Sequence, residues 1–191
     1  IMIDTKRKNG AMKLSNLRRM EDLEQTITDV PELSKPLSIV NIAKSFNQAY
    51  YNGNPDFYTL PSNQEEIFLL PYIKNSLKKT NNNQLKSYIS SDGRVARMTT
   101  FIKDENGEKM EAIEAHLRNK VDNLFPSPRY EVIITGKASV FQKGTKYLLD
   151  NLLSSLLFAF LITGGLVAIM FRSFKMVLVS IIPNLLPLLM T

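Results

Sequence analysis

The chain predicts an α+β fold: a βαββαβ domain with extra helices over residues 1–150, then a two-helix membrane hairpin over 151–191. Three observations predict it. Strand-type alternation and helix-type periodicity succeed one another as strand, helices, strand, strand, helix, strand. Every Asp and Glu lies at or before Asp150. Residues 152–171 carry no charged side chain and, at about 1.5 Å per residue, span ~30 Å, one hydrocarbon core.

Charge divides the same way. Of 24 Lys and Arg, two (Arg172 and Lys175) fall between the apolar runs, so residues 1–150 carry 22 cations against 18 acids, a net +4. The cations are interleaved with acids, as in Arg18-Arg19-Met20-Glu21-Asp22, which is the pattern of a solvated face; no nucleic-acid partner is expected. The absence of Cys removes disulfides, thiol catalysis and Cys-ligated zinc. Ile1 opens without a basic targeting segment, and Thr191 stops 16 residues past Lys175. A piece of a larger membrane protein is therefore expected.

Taken in order, Ile1 to Thr5 alternates as a strand, and Lys8-Asn9-Gly10 turns the chain. Leu14, Leu17, Met20, Leu23, Ile27 and Val30 form the stripe of an amphipathic helix ending at Pro31. Ser34 before Pro36 is expected to restart helix, with Ile39, Val40, Ala43, Phe46, Ala49 and Tyr50 on one side until Asn52-Gly53-Asn54-Pro55. The aromatics Tyr50, Tyr51, Phe57 and Tyr58 beside that stop either line a pocket or pack under the loop, and packing is the commoner outcome. Ser62 and Glu65 form a capping box for an apolar segment interrupted by Pro71, and residues 80–84 are a polar linker.

Leu85 to Ser90 and Arg94 to Lys103 read as a β-hairpin around Asp92-Gly93, since Asp-Gly tolerates the positive φ of such turns. A helix over Glu108 to Leu124 follows, with Met110, Ile113, Leu117, Val121 and Leu124 on its stripe. His116, the lone histidine, flanks it without an acidic or thiol partner at ligand spacing and reads as a surface or boundary residue. Tyr130 to Thr135 is apolar enough for a central strand, and from Ala138 helix resumes and runs into the span at Leu152. The element order is that of a ferredoxin-like split βαβ sandwich.

No catalytic constellation emerges. There is no phosphate loop; Glu65-Glu66 and Asp104-Glu105 are adjacent pairs in a helix start and a loop; no enzyme activity, cofactor or metal is expected. The spans, 152–171 and 174–191, contain no Asp, Glu or His and so encode no proton relay. Ser155, Ala159 and Thr163 are small residues four apart, a row that lets another helix approach closely. Pro183, Asn184 and Pro187 mark the second span as kinked and packed in a bundle. Arg172, Ser173 and Lys175 form the turn between spans.

These residues carry a resemblance. The βαββαβ order ending in Ile134-Thr135-Gly136, the helix running into a span, Phe171-Arg172-Ser173-Phe174-Lys175 and Ile182-Pro183-Asn184-Leu185-Leu186-Pro187 together resemble the resistance-nodulation-division (RND) superfamily. The branch is that of the MMPL-like exporters, related to Patched and the sterol-sensing proteins. Ile3-Asp4-Thr5, Asn9-Gly10 and Leu37-Ser38-Ile39-Val40 look like the second of that family's two porter domains. The resemblance implies export of hydrophobic or amphiphilic molecules driven by the proton motive force, in a multi-pass protein of the cell (inner) membrane. It implies the bilayer, the other porter domain and the remaining helices as partners. The family's acidic relay lies on a later helix and maps to none of these positions.

Charge leaves topology open, with Arg172 and Lys175 on one side of the first span and Lys137, Lys143 and Lys146 on the other. The resemblance implies residues 1–150 periplasmic or extracellular and the turn cytoplasmic. The alternative is a membrane-anchored sensor or ligand-binding module; a membrane-bound enzyme stands third for want of a catalytic set.

Overall fold

The computed structural model describes residues 1–67, 71, 87–171 and 179. The chain divides into two compact units, Ile1–Ser139 and Val140–Thr191.

The first unit is built on a small sheet of β1 (Met2–Asp4), β2 (Val95–Arg97) and β3 (Glu131–Ile133), in the order β2-β1-β3 with both pairings antiparallel. Ile3 stands opposite Ala96 on one side and Val132 on the other. It is fully buried while Met2 is exposed, so one sheet face belongs to the core. The central strand among the described residues is thus β1, and the apolar 130–135 stretch, expected to be central, supplies a flanking strand. The sheet order places it at the side of β1, and by the period of two Ile133, paired with Met2, shares the outward face and is 50% exposed, while Tyr130, Val132 and Ile134 belong to or pack against the core.

Packed with the core face, that of Ile3, are α1 (Leu14–Thr28), α2 (Ile39–Tyr50) and α3 (Gly107–Leu124). Leu14, Leu17, Met20, Leu23 and Ile27 of α1 are buried in the expected stripe, and the last four share one core with Ile3, Ile39, Val40, Ala43, Leu117 and Val121. Burial of each such side chain contributes about 1.5–3 kcal/mol. Asn106 caps α3 by accepting the Lys109 N–H at 2.9 Å, and His116 is exposed, as its sequence position implied.

Two boundaries differ from expectation. The N-cap of α2 is Ser38, four residues after Ser34. Pro36 keeps its predecessor extended, and Ser34 is drawn instead to the segment after β2, where its N–H donates to Phe101 O (2.8 Å) and its Oγ accepts Phe101 N–H (2.9 Å). The strand expected through Lys103 ends as a regular strand at Arg97. Beyond it the chain changes partner and bridges the α1–α2 loop through Leu37–Thr99 and Leu33–Ile102.

The Asp92-Gly93 turn forms as the turn chemistry required, but the strand expected over Leu85 to Ser90 is reduced to a single bridge at Ile89, with residues 85 and 86 outside the described residues. Gly93 has φ 67°, Ile89 bridges Ala96, Ser90 N–H donates to Val95 O (2.9 Å) and Arg97 N–H to Tyr88 O (2.8 Å). The Ser62–Glu65 box also forms, with Ser62 N–H reaching Glu65 Oε2 at 2.7 Å. Phe68 to Leu70, Ile73 and the linker 80–84 lie outside the described residues. A further helix, α4, runs unbroken from Lys137 to Phe171.

Candidate functional site

Helix α4 has 35 residues, ~52 Å of helix, and is the only helix among the described residues long and apolar enough to cross a membrane. Its sequence explains its continuity: it contains no Pro, and its glycines, Gly144, Gly164 and Gly165, are diluted among Leu, Ala, Phe and Ile. From Leu152 to Met170 it exposes most of its large apolar side chains, with Leu157, Phe158, Leu161, Ile162, Leu166 and Ile169 each at 60% or more. In water such a surface is costly; in hydrocarbon it is the ordinary state.

Ser155, Ala159 and Thr163 sit on α4 and are exposed. Ser155 Oγ donates to Leu152 O at 2.9 Å, which satisfies its hydroxyl inside the helix. The partly covered positions, Leu156, Phe160, Gly164, Val167 and Ala168, lie on the adjoining strip. Arg172, Ser173, Lys175, Pro183, Asn184 and Pro187 lie outside the described residues, as does nearly all of the second expected span.

In the first unit, the residues near Ile1 act as a clasp. Arg94 grips Asp4 with two bonds (2.7 and 2.5 Å), and this holds the Asp4 carboxyl below the usual carboxylate range. Thr5 Oγ1 donates to Arg94 O at 2.8 Å; Asn9 N–H reaches Asp92 O at 2.9 Å and Ala11 N–H reaches Gly93 O at 3.0 Å. A Cβ on Gly10 would stand 2.2 Å from Thr5 Oγ1, so the Asn9-Gly10 turn meets the hairpin only with glycine there. Tyr130 is buried beside it, donating to Asn16 Oδ1 at 2.8 Å, with the Arg19 and Arg129 guanidinium groups 5.6 and 5.7 Å from its ring centre.

The aromatic cluster divides. Tyr51 and Phe57 stack at 3.8 Å, and Tyr51 OH donates to Glu65; Tyr50 and Tyr58 are exposed. Asn47 pins the loop by donating to Phe57 O and Thr59 O. No group of three or more metal-ligating side chains occurs among the described residues.

One pairing escaped the sequence reading: Glu24 of α1, only 7% exposed, accepts the Ser38 hydroxyl proton at 2.6 Å. The signal was present, since Glu24 follows Leu23 within the apolar stripe of α1, where a carboxylate requires a partner.

The MMPL family model matches residues 8–190, which takes in the sheet-and-helix unit from the turn after β1 onward and the apolar segment. The chain belongs to the MMPL family. MMPL proteins are membrane transporters of the RND superfamily and not an enzyme family, so the clasp, the core and α4 are parts of a transporter. No curated protein and no solved structure matches the chain.

Proposed function

We propose that this MMPL chain is the porter-domain and first-span portion of an RND-type exporter that moves hydrophobic or amphiphilic molecules, lipids or drugs, at the expense of the proton motive force. The observation that carries the reading is the family match running without interruption from the sheet unit through α4. The sheet supports the finer assignment. Ala96 bridges Ile89 and also pairs with Ile3, so Ile89 lies on the far side of β2 from β1. The segments then follow the spatial order 131–133, 2–4, 95–97, 89, the arrangement of a ferredoxin-like βαββαβ domain. The domain occupies residues 1–150, the hairpin 151–191, and the porter is the second of the family's two.

The domain faces the periplasm or exterior and the turn Arg172, Ser173 and Lys175 faces the cytoplasm. Ser155, Ala159 and Thr163, with Pro183, Asn184 and Pro187, pack against other helices of the transporter. The partners are the bilayer, those helices, the other porter domain and the amphiphile. Cells carrying the full-length protein should hold less of a lipophilic dye than cells lacking it, and a protonophore should abolish the difference. Equal dye content in both, before and after the protonophore, would remove the exporter reading. Orientation is tested separately with single cysteines at Ser91 and Ser173 and an impermeant thiol reagent. Labelling of Ser173→Cys but not Ser91→Cys in intact cells would reverse it.

A further inference from the structure

We infer that Glu24 and Ser38 form a proton-operated latch on the N-terminus of α2. The Ser38 hydroxyl does two jobs at once. It donates to the Glu24 carboxylate across the α1–α2 junction at 2.6 Å, and its oxygen accepts the Val40 N–H at 2.9 Å, while Asn41 Oδ1 returns the favour to Ser38 N–H at 2.7 Å. The carboxylate therefore fixes the rotor of the hydroxyl that caps the helix, and ties α2 to α1 at a point where both residues are almost fully buried.

Among the described residues, two charged side chains act on Glu24. Lys44 of α2 favours its ionised form and Glu21 of α1 opposes it, while Lys44 and Glu21 pair with each other at 2.6 Å. The 3-10 turn Gly10–Met12 beside α1 has no ionisable side chain, and α3 brings Leu117 and Val121 to the shared core. The α1–α2 loop is held to α3 by Glu32 and Lys109 at 2.8 Å, a pair whose charges answer one another. Burial, the largest influence, pushes the Glu24 carboxyl above its ordinary value, and the Ser38 bond and Lys44 work against that rise.

The two effects of protonation have opposite signs, and that makes the latch recognisable. The folded-state pKa is raised, so the folded protein takes up the proton more readily than the unfolded chain, and this group adds stability as pH falls through that pKa. The Ser38 bond, in contrast, favours the carboxylate. By reciprocity, protonating Glu24 weakens that bond from charge-assisted to neutral, about half its strength, while α1 keeps Glu24 in place. Acid then firms the domain as a whole while loosening one helix cap.

The role as a sensor of exterior pH rests on the orientation proposed above; the latch itself does not. The test is hydrogen exchange of the full-length protein in lipid nanodiscs from pH 8 to pH 5, each amide corrected for its intrinsic rate. Protection at residues 38–43 should fall by roughly tenfold toward pH 5 in the wild type while core amides of α1 hold or gain, from the change in bond character. Glu24→Gln should flatten that dependence, and Ser38→Ala should lower protection at every pH. Wild-type protection that does not change with pH, or that changes identically in Glu24→Gln, overturns the proposal. Because exchange reads the junction and not transport, a failed dye-export assay and a failed latch are separate results.

Discussion

At the scale of single residues, the clasp around β1 is where small changes tell most. Gly10→Ala would place a methyl group 2.2 Å from Thr5 Oγ1 and 2.8 Å from its Cβ, so either the turn or the Thr5–Arg94 bond must give way. A loss of about 1–3 kcal/mol is expected, the range for overpacking, read as a lowered thermal midpoint of the full-length protein; an unchanged midpoint would mean that the turn and hairpin do not meet as described. Asp4 carries a pH prediction with the opposite sign to Glu24. Its folded pKa is depressed, chiefly by the Arg94 bond, so its contribution is fully present above the ordinary carboxylate pKa and drains away as pH falls through the depressed value. Asp4→Asn should therefore destabilise the protein at neutral pH and make no difference at the acid end of a melting series. Arg94 is half-exposed, so the effect will shrink in high salt.

At the scale of elements, the sheet's order separates two isoleucines that composition cannot tell apart. Ile3, fully buried between β2 and β3, should cost about 2–5 kcal/mol when changed to Ala, whereas Ile133→Ala, on the outward face of a flanking strand, should cost well under half of that in the same denaturation assay. Similar losses would mean that the outward face is covered in the intact transporter. The contrast also shows what a sequence can disclose. The stripes of α1 and α3 and the Asp92-Gly93 turn were legible because each is a local pattern with a local cause: a period near 3.6, or a backbone conformation that few residues adopt. The central position of β1 was not, because a three-residue strand carries too short a pattern and its rank is set by partners over ninety residues away. The Ser38 cap and the early end of β2 were missed for a related reason. Ser34 and Thr99 look like a helix start and a strand interior until the α1–α2 loop and the chain after β2 are seen to pair. For the candidate site, the apolar run of α4 was legible from composition, while the Glu24–Ser38 pairing needed the packing of two helices.

At the scale of the whole molecule, the proposed exporter needs a way for its membrane part and the sheet-and-helix unit to exchange work. Residues 152–171 contain no ionisable side chain, and such groups are costly enough in hydrocarbon that a proton relay has to declare itself in the sequence. In an exporter of the kind proposed, the drive would come from other helices and reach the domain through chain that can transmit displacement. Helix α4 meets that need: its first turn follows directly on β3 through the short Ile134–Gly136 link, and it remains helical without a break to Phe171. A helix passes on an axial shift or a rotation along its length, whereas a Gly/Ser segment of the same length behaves as a coil and absorbs it. Inserting several Gly and Ser residues after Lys146 should therefore abolish export of the lipophilic dye while leaving expression, membrane insertion and the hydrogen-exchange pattern of α1 to α3 unchanged. Ser155→Leu and Thr163→Leu, which enlarge two small positions on α4, should reduce export if that row is where a neighbouring helix pushes. Wild-type export in all three variants would leave α4 as an anchor only, and the force on the porter domain would have to arrive by a route that bypasses this helix.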